Sequence, residues 1–348
     1  MQNNNNKEKK ICFFVKLDSD EYLKRVGFYK QDIEILTRIG YKVMPAISFK
    51  DLFKPTDVYY VWWWTWAFIP VFLGLIRRKP VIVTGVFDHY IDGEIQDYIK
   101  RNIIHRLLMK FSLKYCSVNL FISHLEKDQI KKYFGNVKSK VSHLAINESL
   151  FFHRNDINRE EQLLFTISWL TKENAKRKKL FEIIHAMPMV LQKFPKIKLV
   201  IAGKKNSAYE DLLEAVTKLN LNQHIKFTDA ISEEEKIKYL QTCSVYLQPT
   251  EVEGFGLAIL EAMFCGAPII STKTGTVPEV MGNGGIYVEK NTSEDIAEAI
   301  ITLLSNRELA NEVSHNAILR AKKFSYEKRI NEMQGILQDV LKNDFCEN

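Results

Sequence analysis

The residue types best suited to chemistry are two carboxylates eight positions apart, Glu253 and Glu261, with Gly254 and Gly256 between them. A buried strand before them, a helix from Leu257 to Cys265 and a strand after it predict one strand–loop–helix–strand unit of a parallel sheet. In such sheets, ligands lie at the carboxyl ends of the strands. The first turn of the helix offers free N–H groups to an anion. Glu261 would flank a ligand whose phosphates rest on that turn.

A second constellation is a basic segment that follows the first predicted strand of the second half, from Lys172 to Lys179. A diphosphate leaving group must be neutralised in the transition state, and without a metal this task falls to Arg and Lys near helix starts. Arg177 and Lys178 are the candidates, and Lys178 is the stronger of the two. The alternative is a solvated basic helix start with no ligand.

Composition narrows the class of protein. The chain has 348 residues, 46% of them apolar and 26% charged, which is enough for two globular domains. The net charge of +7 suits an anionic ligand or an anionic membrane surface. The sequence contains no basic run with interleaved aromatics of the kind that would predict a nucleic-acid partner. The five cysteines are scattered and form no CxxC pair, which predicts a reduced compartment and no structural zinc. No DxD-type pair or His/Cys cluster has metal-ligand spacing, so no metal is expected.

Apolar and amphipathic segments alternate along the chain and then start again after a polar, irregular stretch around residues 152–161. This pattern predicts an α/β protein with two successive doubly wound halves and a cleft between them. The predicted helices include Tyr22 to Ile39 and Ile95 to Tyr115, and Ser232 with Glu235 predicts a capping box at the start of another helix. The predicted domains are a disordered tail, an N-terminal domain, a C-terminal domain and a terminal helix expected to pack back towards the N-terminal domain: residues 1–10, 11–155, 156–325 and 326–348.

Residues 253–268 read EGFGLAILEAMFCGAP. They match the signature E-x7-E, within E-G-F-G-x-x-x-x-E-A-M/A-x-x-G-x-P, of glycosyltransferase family 4, and the chain resembles these retaining enzymes of the glycosyl transferases group 1. The resemblance is strong from about Leu163 to Phe324 and looser over the first 150 residues. It implies a GT-B fold, in which two Rossmann-like domains face each other across a cleft. It also implies an N-terminal acceptor domain and a C-terminal nucleotide-sugar domain.

The resemblance also implies roles for individual residues. Glu261 would accept hydrogen bonds from the ribose hydroxyls of a nucleotide sugar, and Glu253 would contact sugar hydroxyls or offset charge at the anomeric carbon. The distal phosphate would lie on the backbone of residues 254–257: Gly254, Phe255, Gly256 and Leu257. Arg177 and Lys178 match the family's basic pair. Ser168 and Trp169 stand where the family has Gly-Arg, so that arginine is missing, and Lys172 is a candidate substitute.

Weaker candidates complete the predicted site. Gly203 ends a strand and would let a ligand approach the backbone, although a plain turn glycine is the alternative. Asp229 lies where the family contacts the nucleobase. In the first half, Asp88 and His89 follow a strand and are candidates for sugar or acceptor binding, with a capped loop as the alternative.

One apolar segment, Val61 to Ile76, carries four tryptophans and is followed by Arg77, Arg78 and Lys79. It is too short and too interrupted to span a bilayer. One interpretation is a buried strand that runs into a core helix. The other is an apolar shelf that meets lipid, with the basic cluster on anionic headgroups. Under this second interpretation, the protein would be cytoplasmic and would bind peripherally, in a salt-sensitive manner, to the inner face of the cell membrane.

The resulting hypothesis is a retaining glycosyltransferase without cofactor or metal. It would move a hexose from a nucleoside diphosphate sugar to a hydroxyl of a glycan or lipid-linked acceptor, in bacterial surface polysaccharide assembly. Two alternatives stay open: a catalytically degenerate nucleotide-sugar-binding subunit of a glycan-assembly complex, and a GT-B nucleotide-sugar epimerase. A phosphorylase would require a cofactor-lysine motif, which the sequence does not show.

Overall fold

The computed structural model describes residues 8–86, 90–91, 94–95, 98 and 100–343. The chain divides into two compact units. Residues 1–145 and 326–348 form the first unit, and residues 146–325 form the second. The last helix of the chain therefore groups with the first unit. Residues 1–7 of the predicted tail lie outside the described residues.

The first unit is built on a six-stranded parallel sheet. Its strands are β1 (Lys10–Phe14), β2 (Lys42–Ala46), β3 (Val58–Trp62), β4 (Val81–Gly85), β7 (Val118–Phe121) and β8 (Ser139–Val141). Their order is β2-β1-β3-β4-β7-β8, and the short strands β5 (Tyr90–Ile91) and β6 (Glu94–Ile95) form a separate antiparallel pair. The central strands are buried on both faces, as expected for a sheet covered by helices on both sides.

The helices of the first unit differ in two places from the sequence prediction. They are Glu21–Arg25, Gly27–Arg38, Phe68–Arg77, Ile103–Tyr115, His124–Phe134 and Tyr326–Asn343, with a 3₁₀ turn at Phe49–Phe53. The helix predicted from Tyr22 to Ile39 is two helices, because Val26 takes an extended conformation with ψ of 115°. The helix predicted from Ile95 begins at Ile103, because the Asn102 side chain caps it by accepting the His105 N–H at 2.9 Å.

A buried ion pair fastens the terminal helix to the first unit. Arg329 Nη2 lies 2.8 Å from Asp32 Oδ1, and both side chains are almost fully shielded from solvent. Asp32 also accepts hydrogen bonds from the Tyr60 hydroxyl and the Trp62 indole, at 2.7 and 3.1 Å. The charged pair is therefore well supplied with hydrogen bonds, as a buried pair must be if it is to persist.

The second unit repeats the architecture with a sheet ordered β11-β10-β9-β12-β13-β14, all parallel. Its strands are β9 (Leu163–Ile167), β10 (Lys198–Ala202), β11 (Ile225–Phe227), β12 (Val245–Gln248), β13 (Ile269–Thr272) and β14 (Ile286–Val288). The chain first builds outward from β9 in one direction and then returns to add β12 on its other side. The order of strands thus reverses between β9 and β12, which is where open α/β sheets bind ligands.

Eight α-helices and a 3₁₀ turn at Lys322–Phe324 are described in the second unit. The α-helices are Lys172–Arg177, Leu180–Lys193, Tyr209–Lys218, Glu233–Thr242, Leu257–Phe264, Val277–Met281, Ser293–Ser305 and Arg307–Ala321. The predicted capping box at Ser232 and Glu235 is confirmed. The short helix Lys172–Arg177 and strand β14 were not predicted. The helix has a single buried residue, Ala175, and so presents no apolar stripe. Among the described residues, no helix is long and apolar enough to cross a membrane.

Candidate functional site

The candidate site lies in the second unit, where the segments that follow β9 and β12 meet. The Arg177 carbonyl accepts the Glu251 N–H at 2.8 Å and the Thr250 hydroxyl at 3.2 Å. In return, the Arg177 guanidinium donates to the Val252 carbonyl at 2.9 Å. These bonds hold the basic segment after β9 against the loop after β12. The two motifs predicted from the sequence are therefore brought together.

Glu253 is oriented by neighbours on both segments. Its Oε2 accepts a hydrogen bond from Gln248 Nε2 at 3.0 Å and lies 3.5 Å from Arg177 Nη1. The side chains of Arg177 and Glu253 are 30% and 15% exposed, so the pair is largely shielded from solvent. Arg177 is thus engaged with protein atoms, and its direct effect is to position Glu253.

The backbone at Glu253 is supported by the turn after β13. The Glu253 carbonyl accepts bonds from the N–H and the hydroxyl of Thr276, each at 3.3 Å. Gly275 has a φ of +52°, and a Cβ on it would lie 2.3 Å from that carbonyl oxygen. Only glycine allows the turn to come this close. The contact between these two loops thus holds the Glu253 backbone in place.

The first turn of the helix Leu257–Phe264 is open. Its N-cap residue is Gly256, with a φ of +95°, and no side chain caps the first N–H groups. These groups therefore remain available to a ligand at the positive end of the helix dipole. Phe255, which precedes the cap, is buried and packs edge-on against Phe324 with ring centroids 6.1 Å apart. Phe255 thereby anchors the loop to the core, so only its backbone faces a ligand.

Glu261 lies one turn into this helix and forms an ion pair with Lys236. Lys236 Nζ lies 2.8 Å from Glu261 Oε1, and the two side chains are 17% and 15% exposed. The Lys236 ammonium also lies 4.9 Å from the centre of the Phe151 ring. Burial raises the pKa of the Glu261 carboxyl, and Lys236 opposes that rise. Lys236 therefore favours the ionised carboxylate, which is the form that accepts hydrogen bonds from hydroxyls.

Lys178 is the cation left available at this edge. It is half-buried, and no hydrogen-bond or ion-pair partner of its ammonium is found in the described part of the chain. Burial lowers its pKa, while the nearby carboxylates of Glu253 and Glu261 act in the opposite direction. A cation in this position can neutralise an anion that the protein itself does not supply.

Neither Trp169, at the position where the family has an arginine, nor the candidate substitute Lys172 supplies that arginine's charge. Lys172 is exposed and pairs with Asp211 at 3.2 Å on the helix Tyr209–Lys218. Trp169 follows β9 and is 69% exposed. In the described segments, neither position brings a free cation to Glu253 or Glu261.

Gly203 and Asp229 both act within the protein. A Cβ on Gly203 would lie 1.7 Å from the Ser168 carbonyl oxygen, so the close approach of two strand ends accounts for glycine there. The Asp229 carboxylate accepts the N–H groups of Lys205 and Ala230, at 3.1 and 2.8 Å. These bonds lower the pKa of Asp229, which is exposed at the end of β11.

The candidates in the first half are Asp88 and His89, and both lie outside the described residues. In the tryptophan segment, Trp62 and Trp64 are buried and donate to Asp32 and Asn119, at 3.1 and 2.8 Å. These two rings belong to the core. Arg77 is also engaged within the protein, because it donates to the Leu52 carbonyl and the Tyr59 hydroxyl.

Lys236 was missed by sequence reasoning. It stands 25 positions before Glu261, on a different helix. The capping box at Ser232 fixes where that helix starts, but no local pattern indicates which strand end its lysines face. Only the packing of the helix against the sheet brings the two charges together.

Comparison with known proteins shows which family the second unit resembles. Residues 150–320 match the model of the family described as "Glycosyl transferases group 1". An uncharacterized glycosyltransferase of Methanocaldococcus jannaschii is 27% identical over 77% of this chain and 71% of its own length. The N-acetyl-alpha-D-glucosaminyl L-malate synthase of Bacillus anthracis is 26% identical over 68% of this chain, which spans 63% of that relative.

Solved structures show the same fold at lower identity. The sucrose-phosphate synthase of Thermosynechococcus elongatus has a TM-score of 0.73 at 15% identity and covers 97% of this chain and 100% of its own. The Anabaena protein HepE in complex with UDP has a TM-score of 0.76 at 16% identity, over 95% of this chain and 100% of its own. The fold is therefore GT-B. The chain therefore resembles the glycosyl transferases group 1 family, whose model matches residues 150–320.

Proposed function

We propose that this protein is a retaining glycosyltransferase that moves a hexose from a nucleoside diphosphate sugar to a hydroxyl group of a glycan or lipid-linked acceptor. An acceptor of this kind suits the assembly of bacterial surface polysaccharide at the inner face of the cell membrane. The relatives named above are a glycosyltransferase and an N-acetyl-alpha-D-glucosaminyl L-malate synthase, and both names support a sugar as the transferred group.

The observation that carries the proposal is the half-buried ammonium of Lys178. It stands beside two carboxylates and is without a partner in the described residues. Burying a cation is unfavourable unless a counter-ion offsets the loss of water, and a diphosphate would be that counter-ion. The open first turn at Gly256 would hold the distal phosphate.

The two carboxylates would then bind different parts of the donor, one the ribose and the other the sugar. Glu261, whose ionised form Lys236 favours, would accept hydrogen bonds from both hydroxyls of the ribose, since a carboxylate has an oxygen for each. Glu253, held by Gln248 and Arg177, would contact hydroxyls of the sugar or offset positive charge at its anomeric carbon.

The chemical step would proceed on one face of the sugar. The acceptor oxygen forms its bond to the anomeric carbon as the bond from that carbon to the diphosphate oxygen breaks. The acceptor attacks from the face that the diphosphate leaves, so the configuration is retained, and the acceptor proton passes to the departing diphosphate. Lys178 and the helix N-terminus would stabilise the charge that develops on the diphosphate, and the remaining rate enhancement would come from positioning.

A donor-binding subunit without catalytic activity is the second candidate. The position that carries an arginine in the family holds Trp169, which is 69% exposed. One cation fewer at the leaving group would lower the rate more than the affinity for the donor.

A panel of radiolabelled nucleoside diphosphate sugars, incubated with and without glycan acceptors, tests the proposal. UDP sugars come first in the panel, because a solved structure of HepE was obtained with UDP. Transfer or slow donor hydrolysis that persists in EDTA would support a metal-independent transferase. Activity that is lost in EDTA and restored by Mg²⁺ or Mn²⁺ would contradict the metal-independent part. Binding without turnover would favour the subunit, and interconversion of donor epimers would favour the epimerase.

A further inference from the structure

The first unit exposes a large apolar surface on two helices that pack against each other, Phe68–Arg77 and Ile103–Tyr115. Six aliphatic or aromatic side chains on these helices are each at least 53% exposed: Phe72, Leu75, Ile76, Ile103, Ile104 and Leu107. Phe53, beside the first helix, is 61% exposed and lies under the Arg77 guanidinium. Isolated exposed leucines are ordinary, but a cluster of this size marks an interaction surface.

The inner sides of the same helices account for their packing. Val71 and Gly74 face the core from the first helix, and Met109 and Leu113 do so from the second. A Cβ on Gly74 would come within 2.4 Å of the Val81 side chain, so the first helix lies directly on the sheet. The helices are therefore already fully seated on the domain, and their outward apolar residues are additional to the core.

Charge distinguishes these two helices from the rest of the molecule. Neither contains an Asp or a Glu, whereas every other α-helix in the described part of the chain contains at least one. The second helix carries Arg106, Lys110 and Lys114, and the exposed Arg78 ends the first. A surface with exposed apolar side chains, several cations and no anions is complementary to an anionic lipid bilayer.

We propose that the outer faces of helices Phe68–Arg77 and Ile103–Tyr115 form one membrane-docking surface, which binds the interface of an anionic bilayer. The aliphatic side chains enter the region between headgroups and acyl chains, and Lys110 and Lys114 contact the headgroups. The buried rings of Trp62 and Trp64 take no part. Such docking would bring a lipid-linked acceptor to the enzyme, and that consequence alone rests on the proposed function.

Flotation of the full chain with vesicles tests the surface directly and requires no donor or acceptor. The vesicles are phosphatidylcholine alone, and phosphatidylcholine with phosphatidylglycerol. We expect binding to the anionic vesicles at low salt, weakening as salt is added, and little binding to neutral ones. Absence of binding to anionic vesicles at low salt, or equal binding to both kinds, would overturn the proposal.

Matched variants locate the contact. Leu75→Glu combined with Ile104→Glu should reduce binding by about tenfold or more, because each removes an inserted apolar group and adds repulsion. Leu319→Glu is the control, since Leu319 is also exposed but lies on a helix of the second unit. Lys110→Ser with Lys114→Ser should weaken binding, whereas Lys131→Ser with Lys132→Ser on helix His124–Phe134 should not.

Two further measurements separate the possible outcomes. Thermal melting establishes that each variant is folded. Sedimentation velocity without lipid tests whether the surface instead pairs two copies, and a dimer that Leu75→Glu with Ile104→Glu dissociates would contradict membrane docking. Donor hydrolysis in solution should be unchanged in these variants. If the wild type shows neither transfer nor hydrolysis of any donor, the proposed function fails while the vesicle result still stands.

Discussion

Lys236 Nζ lies 2.8 Å from Glu261 Oε1, at the carboxylate expected to hold the ribose. Burial raises the pKa of Glu261, and the lysine limits the rise. Lys178 also lowers the pKa of Glu261, whereas Glu233 raises it. The ribose-binding form is the ionised one, so affinity for a nucleoside diphosphate should fall as the pH decreases through the raised pKa of Glu261.

Removing the lysine should move that fall to higher pH. Lys236→Met takes away the group that favours ionisation, so Glu261 should bind its proton at a higher pH than in the wild type. The measurement is nucleoside diphosphate affinity as a function of pH, with Lys238→Met as the control, because Lys238 is exposed on the same helix. Coincident profiles for wild type and Lys236→Met would remove Lys236 from this role.

The available cation at the sheet edge should matter most for the rate. Lys178→Ala should lower transfer on the order of 100-fold, as loss of one preorganised charge donor commonly does. Lys176→Ala changes an exposed neighbour on the adjoining short helix and should have little effect. Activity of a folded Lys178→Ala variant within about threefold of wild type would exclude this lysine from the transition state.

The close contact between Gly275 and the Glu253 carbonyl should link loop geometry to activity. Gly275→Ala would force a Cβ to within 2.3 Å of that oxygen and would displace Glu253. We expect a lower melting temperature and reduced turnover. Gly135→Ala is the matched control, because Gly135 also has positive φ, +76°, but has open space around it. Equal turnover in both variants would show that the contact does not position Glu253.

The buried pair in the first unit should dominate the anchoring of the terminal helix. Arg329→Met leaves Asp32 buried without its counter-ion and should cost about 3–5 kcal/mol of stability. Asp32→Asn added to Arg329→Met should restore part of the loss. Arg38→Met is the control, since Arg38 is exposed and its guanidinium lies 5.7 Å from the centre of the Tyr326 ring. Chemical denaturation would measure all of these, and similar losses for Arg329 and Arg38 would contradict the account.

Local signals in the sequence were sufficient for the elements around Glu261. Gly256 and Gly266 bracket the helix, which was predicted from Leu257 to Cys265 and runs from Leu257 to Phe264. The short apolar runs on either side of this helix were predicted as buried strands of a parallel sheet, and they form β12 and β13. The break at Val26 was missed although Gly27 follows it, because residues 22–39 keep helical periodicity across the break and a single glycine inside a helical pattern is tolerated.

Contacts between distant segments were not predictable from a single sequence. The pairing of Lys236 with Glu261 depends on how two helices pack on the sheet, and local patterns do not encode that packing. The same holds for the tryptophan segment, where alternation alone left open which rings are buried. The structure buries Trp62 and Trp64 and leaves Phe72 and Ile76 outside. Arg177 pairs with Glu253, which leaves Lys178 as the available cation of this basic pair, and the sequence did not indicate that pairing.

The most direct test of the central claim is calorimetric titration of a panel of nucleoside diphosphates into the wild type and Glu261→Gln. The account predicts that at least one nucleoside diphosphate binds the wild type. It also predicts that Glu261→Gln weakens this binding by about 1–3 kcal/mol, because the amide loses the charge and one acceptor. Glu298→Gln, at an exposed position on helix Ser293–Ser305, should bind like the wild type. A folded Glu261→Gln variant with unchanged affinity, or a folded wild type that binds none of the panel, would contradict the claim.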